Sequence, residues 1–166
     1  MLECVVNISE GRDRATIDAI AAACGPALLD VHTDTDHHRS VLTLAGRDPQ
    51  DAARAARDLT DEVAERLDLS GHRGVHPRLG AVDVVPFVAL APTAASTAVE
   101  AAREYAEWVV AAHGVPVFLY GDADPQARSL PEARRDAFRT RAPDLGPAEP
   151  HPRLGAVAVG ARPPLV

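Results

Sequence analysis

The chain has 166 residues, enough to bury one hydrophobic core, and is expected to form a single domain over 1–166. All 17 of its basic residues are arginine, yet the formal charge is −7, a balance that repels polyanions and argues against nucleic acid as a partner. Only Cys4 and Cys24 occur, with no CxxC, no basic leader and no apolar run long enough for a bilayer, so free thiols, a cytoplasmic location and no membrane contact are expected.

Leu2 to Ile8 reads as a strand. Ser9-Glu10-Gly11-Arg12-Asp13 leads into a helix with Ile17, Ile20, Ala21 and Cys24 on one face, stopped by Gly25-Pro26. Leu28 to Val31 reads as a second strand, His32 to His38 as a polar loop, and Ser40 to Ala45 as a third strand. A long helix from about Pro49 carries Ala52, Ala56, Leu59, Val63 and Leu67 at helical spacing. Ser70 to Gly80 reads as a loop and Ala81 to Leu90 as the fourth strand. Ser96 is expected to cap a third helix, ended by Gly114, and Val115 to Tyr120 is the fifth strand. A short helix near Pro131 to Arg139, a proline-rich connector (Pro143 to Pro152) and a last strand, Ala156 to Val159, complete the chain. The order predicts an α+β fold: a ferredoxin-like β-α-β-β-α-β unit extended by further strands, with helices on one face of a mixed sheet.

The heptapeptide from His76 to Val82 recurs unchanged from His151 to Val157. Each copy joins a His-Pro-Arg corner to a Gly and then to an apolar strand. The bland reading is a reused turn, with Pro fixing φ and Gly allowing close approach. Around the first copy, His72, Arg73, His76 and Arg78 crowd one Gly-rich loop. An imidazole beside guanidiniums stays neutral and can act as a general base, while arginines hold carboxylates bidentately. Asp83 is placed to orient a histidine or bind a substrate amine, or else lies on a solvated strand face. Ser9 and the amides after it are candidates to meet an anionic group. His32, Asp34, Asp36, His37 and His38 offer metal-ligand chemistry, but the bland reading of a solvated loop is preferred and no metal is expected.

Several segments, in order, resemble the formiminotransferase domain of the formimidoyltransferase-cyclodeaminase and glutamate formimidoyltransferase family. Glu3-Cys4-Val5-Val6-Asn7-Ile8-Ser9-Glu10-Gly11-Arg12 is similar to its opening ECVPNFSEGR. Gly71 to Phe87 resembles its signature RHxGEHPRMGALDVCPF, and Pro116 to Tyr120 its PVYLY strand. Asp144 to Pro147, His151 to Gly155 and Val159 to Arg162 resemble its DFGP…GA…GAR stretch. The likeness covers the N-terminal subdomain; in the family the GAR segment leads into a second subdomain, and folate lies in a tunnel between the two.

The resemblance implies transfer of a formimino group from N-formimino-L-glutamate to N5 of tetrahydrofolate, with His76 as the catalytic base and folate as a co-substrate. Substrate carboxylates would fall to Arg39, Arg73, Arg78 and Arg162, with Ser9 and Asp83 as further substrate-binding candidates. Gly146, Pro147, His151, Pro152, Arg153 and Gly155 correspond to the folate-contacting loop. A homodimer, or a separately encoded C-terminal subdomain, would cover the sheet. Five positions depart: Val6 and Ile8 replace Pro and Phe, Val75 replaces the acidic residue beside the catalytic His, His32 stands where an Asp is usual, and His38 stands near an Asn. Two alternatives remain: a folate- or anion-binding module without catalysis, and a metal-dependent hydrolase centred on His32, His37 and His38.

Overall fold

A computed structural model describes residues 1–73 and 78–163. The elements are β1 (Leu2–Ile8), α1 (Arg14–Ala23), β2 (Leu28–Asp34), β3 (Arg39–Gly46), α2 (Pro49–Arg66), β4 (Val82–Ala89), α3 (Ala95–His113), β5 (Val117–Gly121), α4 (Leu130–Arg135) and β6 (Val157–Arg162). The strands form one six-stranded sheet in the order β2-β3-β1-β4-β6-β5. β1 pairs antiparallel with β3 and β4, β2 antiparallel with β3, and β6 parallel with β4 and β5. The first four strands thus make the expected β-α-β-β-α-β unit, and β5 and β6 extend it beyond β4.

Local chemistry explains most boundaries. Asp13 caps α1 by accepting from the Ala15 and Thr16 amides at 3.0 and 3.3 Å, and Asp48 caps α2 ahead of Pro49. Gly114, at φ 66°, closes α3 in the left-handed conformation. The expected cap at Ser96 is corrected: α3 starts after Ala94, with no side-chain cap, so Ser96 lies inside its first turn. α4 stops at Arg135 rather than Arg139, because the amides of Arg139, Thr140 and Arg141 all turn back onto the Asp136 carbonyl. β2 runs to Asp34, so part of the expected loop is strand. Thr33 and Asp34 pair with Ser40 and Arg39. This strand edges the sheet, and its solvated polar residues hide the alternation that reveals a half-buried strand.

Helices α1, α2 and α3 cover one sheet face. Leu2, Cys4, Val6, Ile8, Leu42, Leu44 and Phe87 are completely buried beneath them, and Ala52, Ala56, Ala102 and Ala106 let the helices pack closely. The one-face expectation holds for these three helices. The short α4 lies on the opposite face, where Ala133 and Leu130 pack with Tyr120, Val84 and Ala158. That face is therefore roofed over β5, β6 and the Val84 end of β4, while over β1 and β3 its residues are only half-buried. Among the described residues, no helix is long and apolar enough to cross a membrane.

Candidate functional site

The turn after β1 nests against the β2–β3 hairpin. Gly11 makes this possible: a Cβ there would fall 2.3 Å from the Asp34 carbonyl oxygen and 2.4 Å from the Arg39 amide nitrogen. The Glu10 carboxylate accepts from the amides of Gly11, Arg12 and Asp13 at 2.9, 2.7 and 2.9 Å. The anion expected at this helix start is thus the chain's own Glu10. Ser9, 4 % exposed, donates its hydroxyl to the Gly80 carbonyl at 2.8 Å and joins β1 to the lead of β4.

The Gly11 amide also reaches His38 Nδ1 at 3.0 Å. That donor makes Nδ1 an acceptor and leaves the proton of the neutral ring on Nε2. His38 sits at φ 51°, a left-handed conformation that His, Asn and Asp tolerate better than most residues. Partial burial holds its pKa below the ordinary imidazole range, with Arg12 and Arg78 adding to the shift and Glu10 opposing it. The His38 ring stacks on His72, centroids 4.0 Å apart. His72 Nδ1 in turn contacts the Arg78 guanidinium. Arg12 reaches the Thr35 carbonyl at 2.9 Å and the Arg73 carbonyl at 3.2 Å. The His38 and His72 imidazoles and the Arg12 and Arg78 guanidiniums therefore gather where the hairpin, the β1–α1 turn and the lead into β4 meet. His76, the expected catalytic base, and Val75 lie outside the described residues.

Asp83 is not on a solvated face. It is 2 % exposed and sits beside an irregularity in the β1–β4 register, which shifts between Asn7–Val84 and Ile8–Val82. One carboxylate oxygen accepts the Leu79 amide at 2.6 Å; the other holds Arg134 of α4 at 2.7 Å. Asp83 thereby fixes the segment after Arg78 and the arginine that overlooks the bare sheet face.

That face carries a cavity of about 480 Å³. Val5, Val84, Pro86 and Val88 supply its apolar surface; Asn7, Glu3, Tyr120, Arg39, Arg134 and Arg162 supply its polar groups. Three guanidiniums, one of them paired with the buried Asp83, against the Glu3 carboxylate leave an acidic protein a locally positive surface. A smaller hollow, sharing Arg39, is lined by His32, Asp34, His37 and Val41. Of the expected substrate-binding residues, Arg39 and Arg162 meet here, and Arg78 belongs to the neighbouring histidine cluster. Arg73 is exposed at the end of the described loop. Arg134 and Tyr120 were missed by sequence reasoning: an arginine in a short helix gives no periodic signal, and Tyr120 reads as an ordinary strand residue.

The expected folate-contacting residues lie elsewhere; none of the six lines this cavity. Gly146, at φ 88°, packs against Val110 and Pro116. Arg153 donates to the Ala64 and Leu67 carbonyls at 3.2 and 3.1 Å, capping the end of α2, and His151 Nδ1 accepts the Arg153 and Leu154 amides at 3.2 and 3.0 Å. Pro152 is exposed in that turn, and Gly155 bridges to Gly80. The polar hairpin loop is likewise internally satisfied: His37 Nδ1 pairs with Asp34 at 2.7 Å. Among the described residues, no three His, Cys, Asp or Glu side chains converge as a metal site requires.

Residues 1–162 match the family model described as the formiminotransferase domain, N-terminal subdomain. The chain is 39% identical over its whole length to a glutamate formimidoyltransferase of Streptococcus pyogenes, covering 60% of that protein. It is 38% identical to one of Thermoplasma acidophilum, with 98% of the chain aligned to 58% of the relative. It is 36% identical to a formimidoyltransferase-cyclodeaminase of Sus scrofa, with 98% of the chain aligned to 32% of that longer protein. The chain thus spans about three fifths, at most, of these relatives. Sequence match over nearly every residue, on a fold whose bare sheet face collects the arginines, places the chain in the formiminotransferase family, as the N-terminal subdomain of its formiminotransferase domain.

Proposed function

We propose that the protein supplies the N-terminal half of a glutamate formimidoyltransferase, moving a formimino group from N-formimino-L-glutamate to N5 of tetrahydrofolate. The observation that carries this reading is the arginine-rimmed apolar cavity on the uncovered sheet face. Both substrates are carboxylates, and one carries a flat ring system. An apolar surface with guanidiniums at its edges complements that combination.

In the proposed step, N5 attacks the formimino carbon and gives its proton to His76. The tetrahedral centre then collapses, the bond from carbon to the glutamate nitrogen breaks, and the proton is delivered to the departing amine. The electron pair of that bond leaves with glutamate, so charge and protons balance within the two substrates and one imidazole. Arg39 and Arg162 would hold carboxylates, Arg78 would stabilise the loop that carries the base, and Asp83 would act through Arg134 and Leu79 rather than on substrate. Folate enters as co-substrate, and no step calls for a metal. A second layer over the bare face, from a further subdomain or another protomer, would exclude water from the reacting carbon. Reduced, buried Cys4 and Cys24 fit a cytoplasmic setting.

The test is formation of formimino-tetrahydrofolate, followed by mass spectrometry, with the chain alone and mixed with the C-terminal part of a longer relative. His76→Ala is expected to lower the rate by about a hundred- to ten-thousand-fold. Absence of transfer by the wild type in both arms would refute the assignment.

A further inference from the structure

Tyr120 presents an anomaly on the cavity side of the sheet. It is 3 % exposed, and its hydroxyl has no hydrogen-bond partner among the described residues. Buried hydroxyls are ordinarily paired, because an unmet one loses its hydration without return. The ring is not simply filling space in its own strand. Tyr120 pairs with Gly160, which pairs with Pro86 of β4. A Cβ on Gly160 would fall 2.5 Å from Cζ and 2.6 Å from both Cε atoms of the tyrosine. The phenol thus lies across β6, its hydroxyl-bearing carbon above the glycine and one strand nearer the cavity. Glycine at 160 is what permits this.

Two guanidiniums flank the same place. Arg162 lies two residues beyond Gly160 on β6, and Arg134 sits on α4 above Tyr120; both line the cavity with it. Burial raises the Tyr120 pKa, and Arg162 and Arg134 are the nearby cations that oppose the rise. The phenol therefore stays protonated and keeps a proton to donate to an incoming acceptor. Asp83 holds Arg134 from behind at 2.7 Å, with the carboxylate itself 2 % exposed.

We infer that Tyr120, Arg134 and Arg162 form a carboxylate subsite at the β5–β6 end of the cavity, with the Tyr120 hydroxyl donating to the bound carboxylate. This deepens the proposed function and rests on it for the identity of the ligand. The carboxylate has two possible sources, the formiminoglutamate donor and the glutamate tail of folate, and the experiment separates them.

Tyr120→Phe removes only an unpartnered hydroxyl, so its melting temperature is expected to equal or exceed that of the wild type. Calorimetric titrations of wild type and Tyr120→Phe would use N-formimino-L-glutamate, its α,γ-diamide, tetrahydrofolate, and the α,γ-diamide of tetrahydrofolate, so that each acid is matched by an analogue with no carboxylate. The variant is expected to bind one acid about ten-fold more weakly while leaving its carboxylate-free analogue unchanged. Weakening of the donor against its diamide identifies the donor; weakening of tetrahydrofolate against its diamide identifies the tail. Equal affinities of wild type and variant for all four ligands would overturn the subsite, as would failure of the wild type to bind either acid at millimolar concentration. Loss specific to the carboxylate, in a protein that transfers no formimino group, would sink the activity and leave the subsite standing. Active transfer with an indifferent Tyr120→Phe would do the reverse.

Discussion

Asp83 offers the sharpest test of how the fold holds the candidate site. Its carboxylate, 2 % exposed, makes two charge-assisted bonds, to the Leu79 amide at 2.6 Å and to Arg134 at 2.7 Å. Each such bond contributes about 1.5–3 kcal/mol, and breaking a fully buried ion pair from one side costs about 3–5 kcal/mol. Arg134 retains 20 % exposure, so water can partly replace the lost carboxylate. The expected cost of Asp83→Ala is therefore about 2–4 kcal/mol, in the lower part of the range for buried pairs. Asp83→Asn keeps an acceptor for Leu79 and loses the charge, at about half that cost. For a chain of this size the alanine variant should melt about 5–10 °C lower. Urea unfolding should show a lower midpoint with an unchanged slope, and the double-mutant cycle with Arg134→Ala should give a coupling of about 0.5–3 kcal/mol. Single-variant losses under about 0.5 kcal/mol, with an additive double variant, would refute the view that this pair ties α4 to the lead of β4.

Three further outcomes follow from the same contacts. Gly11→Ala would drive a methyl into backbone of Asp34 and Arg39, which retreats only if the hairpin moves; a loss of about 1–3 kcal/mol in thermal unfolding is expected, with a shifted His38 imidazole resonance. Arg153→Ala should cost about 1–2 kcal/mol by uncapping α2 while changing folate affinity less than about two-fold, as measured by calorimetry; a large affinity loss would return this loop to a binding role. Asp124, 3 % exposed, is held down to a pKa of about 2, chiefly by its hydrogen bond to Arg128. A carboxylate whose folded pKa is depressed contributes stability that is complete above its unfolded value near 3.8 and fades as pH falls toward about 2. The contribution is about 2 kcal/mol, and Asp124→Asn should flatten the acid limb of the unfolding profile across that window.

The strands and helices that bury one clear face were legible in the sequence. β1 and α2 carry unbroken patterns of period 2 and 3.6, and Gly25, Pro49 and Gly114 mark ends by backbone chemistry. The misreadings share a cause. β2 past Val31 and the start of α3 are set by tertiary neighbours: an edge strand follows its partner β3 without burying alternate residues, and Ala94 caps α3 with no side chain to announce it. The candidate site was half legible. Family-like motifs led to His72, Arg78 and Arg162, and the need for cations at substrate carboxylates led to Arg39, whereas His38 falls in what reads as a solvated loop. Arg134, Tyr120 and the inward turn of Glu10 depend on which strands become neighbours, and β6 lies between β4 and β5 although it is last in the chain.

The repeated heptapeptide shows how one sequence divides into two roles. Its copies meet: the Ala81 amide bonds the Leu154 carbonyl at 2.9 Å and the Ala156 amide bonds the Leu79 carbonyl at 3.0 Å, around a Gly80–Gly155 bridge. Neither glycine leaves room for a Cβ; one at Gly80 would lie 2.0 Å from the Ala156 oxygen, and one at Gly155 would lie 2.2 Å from the Leu79 oxygen. The glycine of each copy is therefore a requirement of backbone, since two parallel neighbours, β4 and β6, begin from a mutual crossing. The chemistry of each copy is set by what lies beside it. Arg153 faces the last carbonyls of α2 and finishes a helix. Arg78 faces His72, the stacked His38 and the field of Asp83, where cations and imidazoles gather without a helix end to satisfy. If the proposed transfer is correct, substitutions at His38 or His72 should reach the reaction, while equivalent changes around Arg153 should reach only the fold.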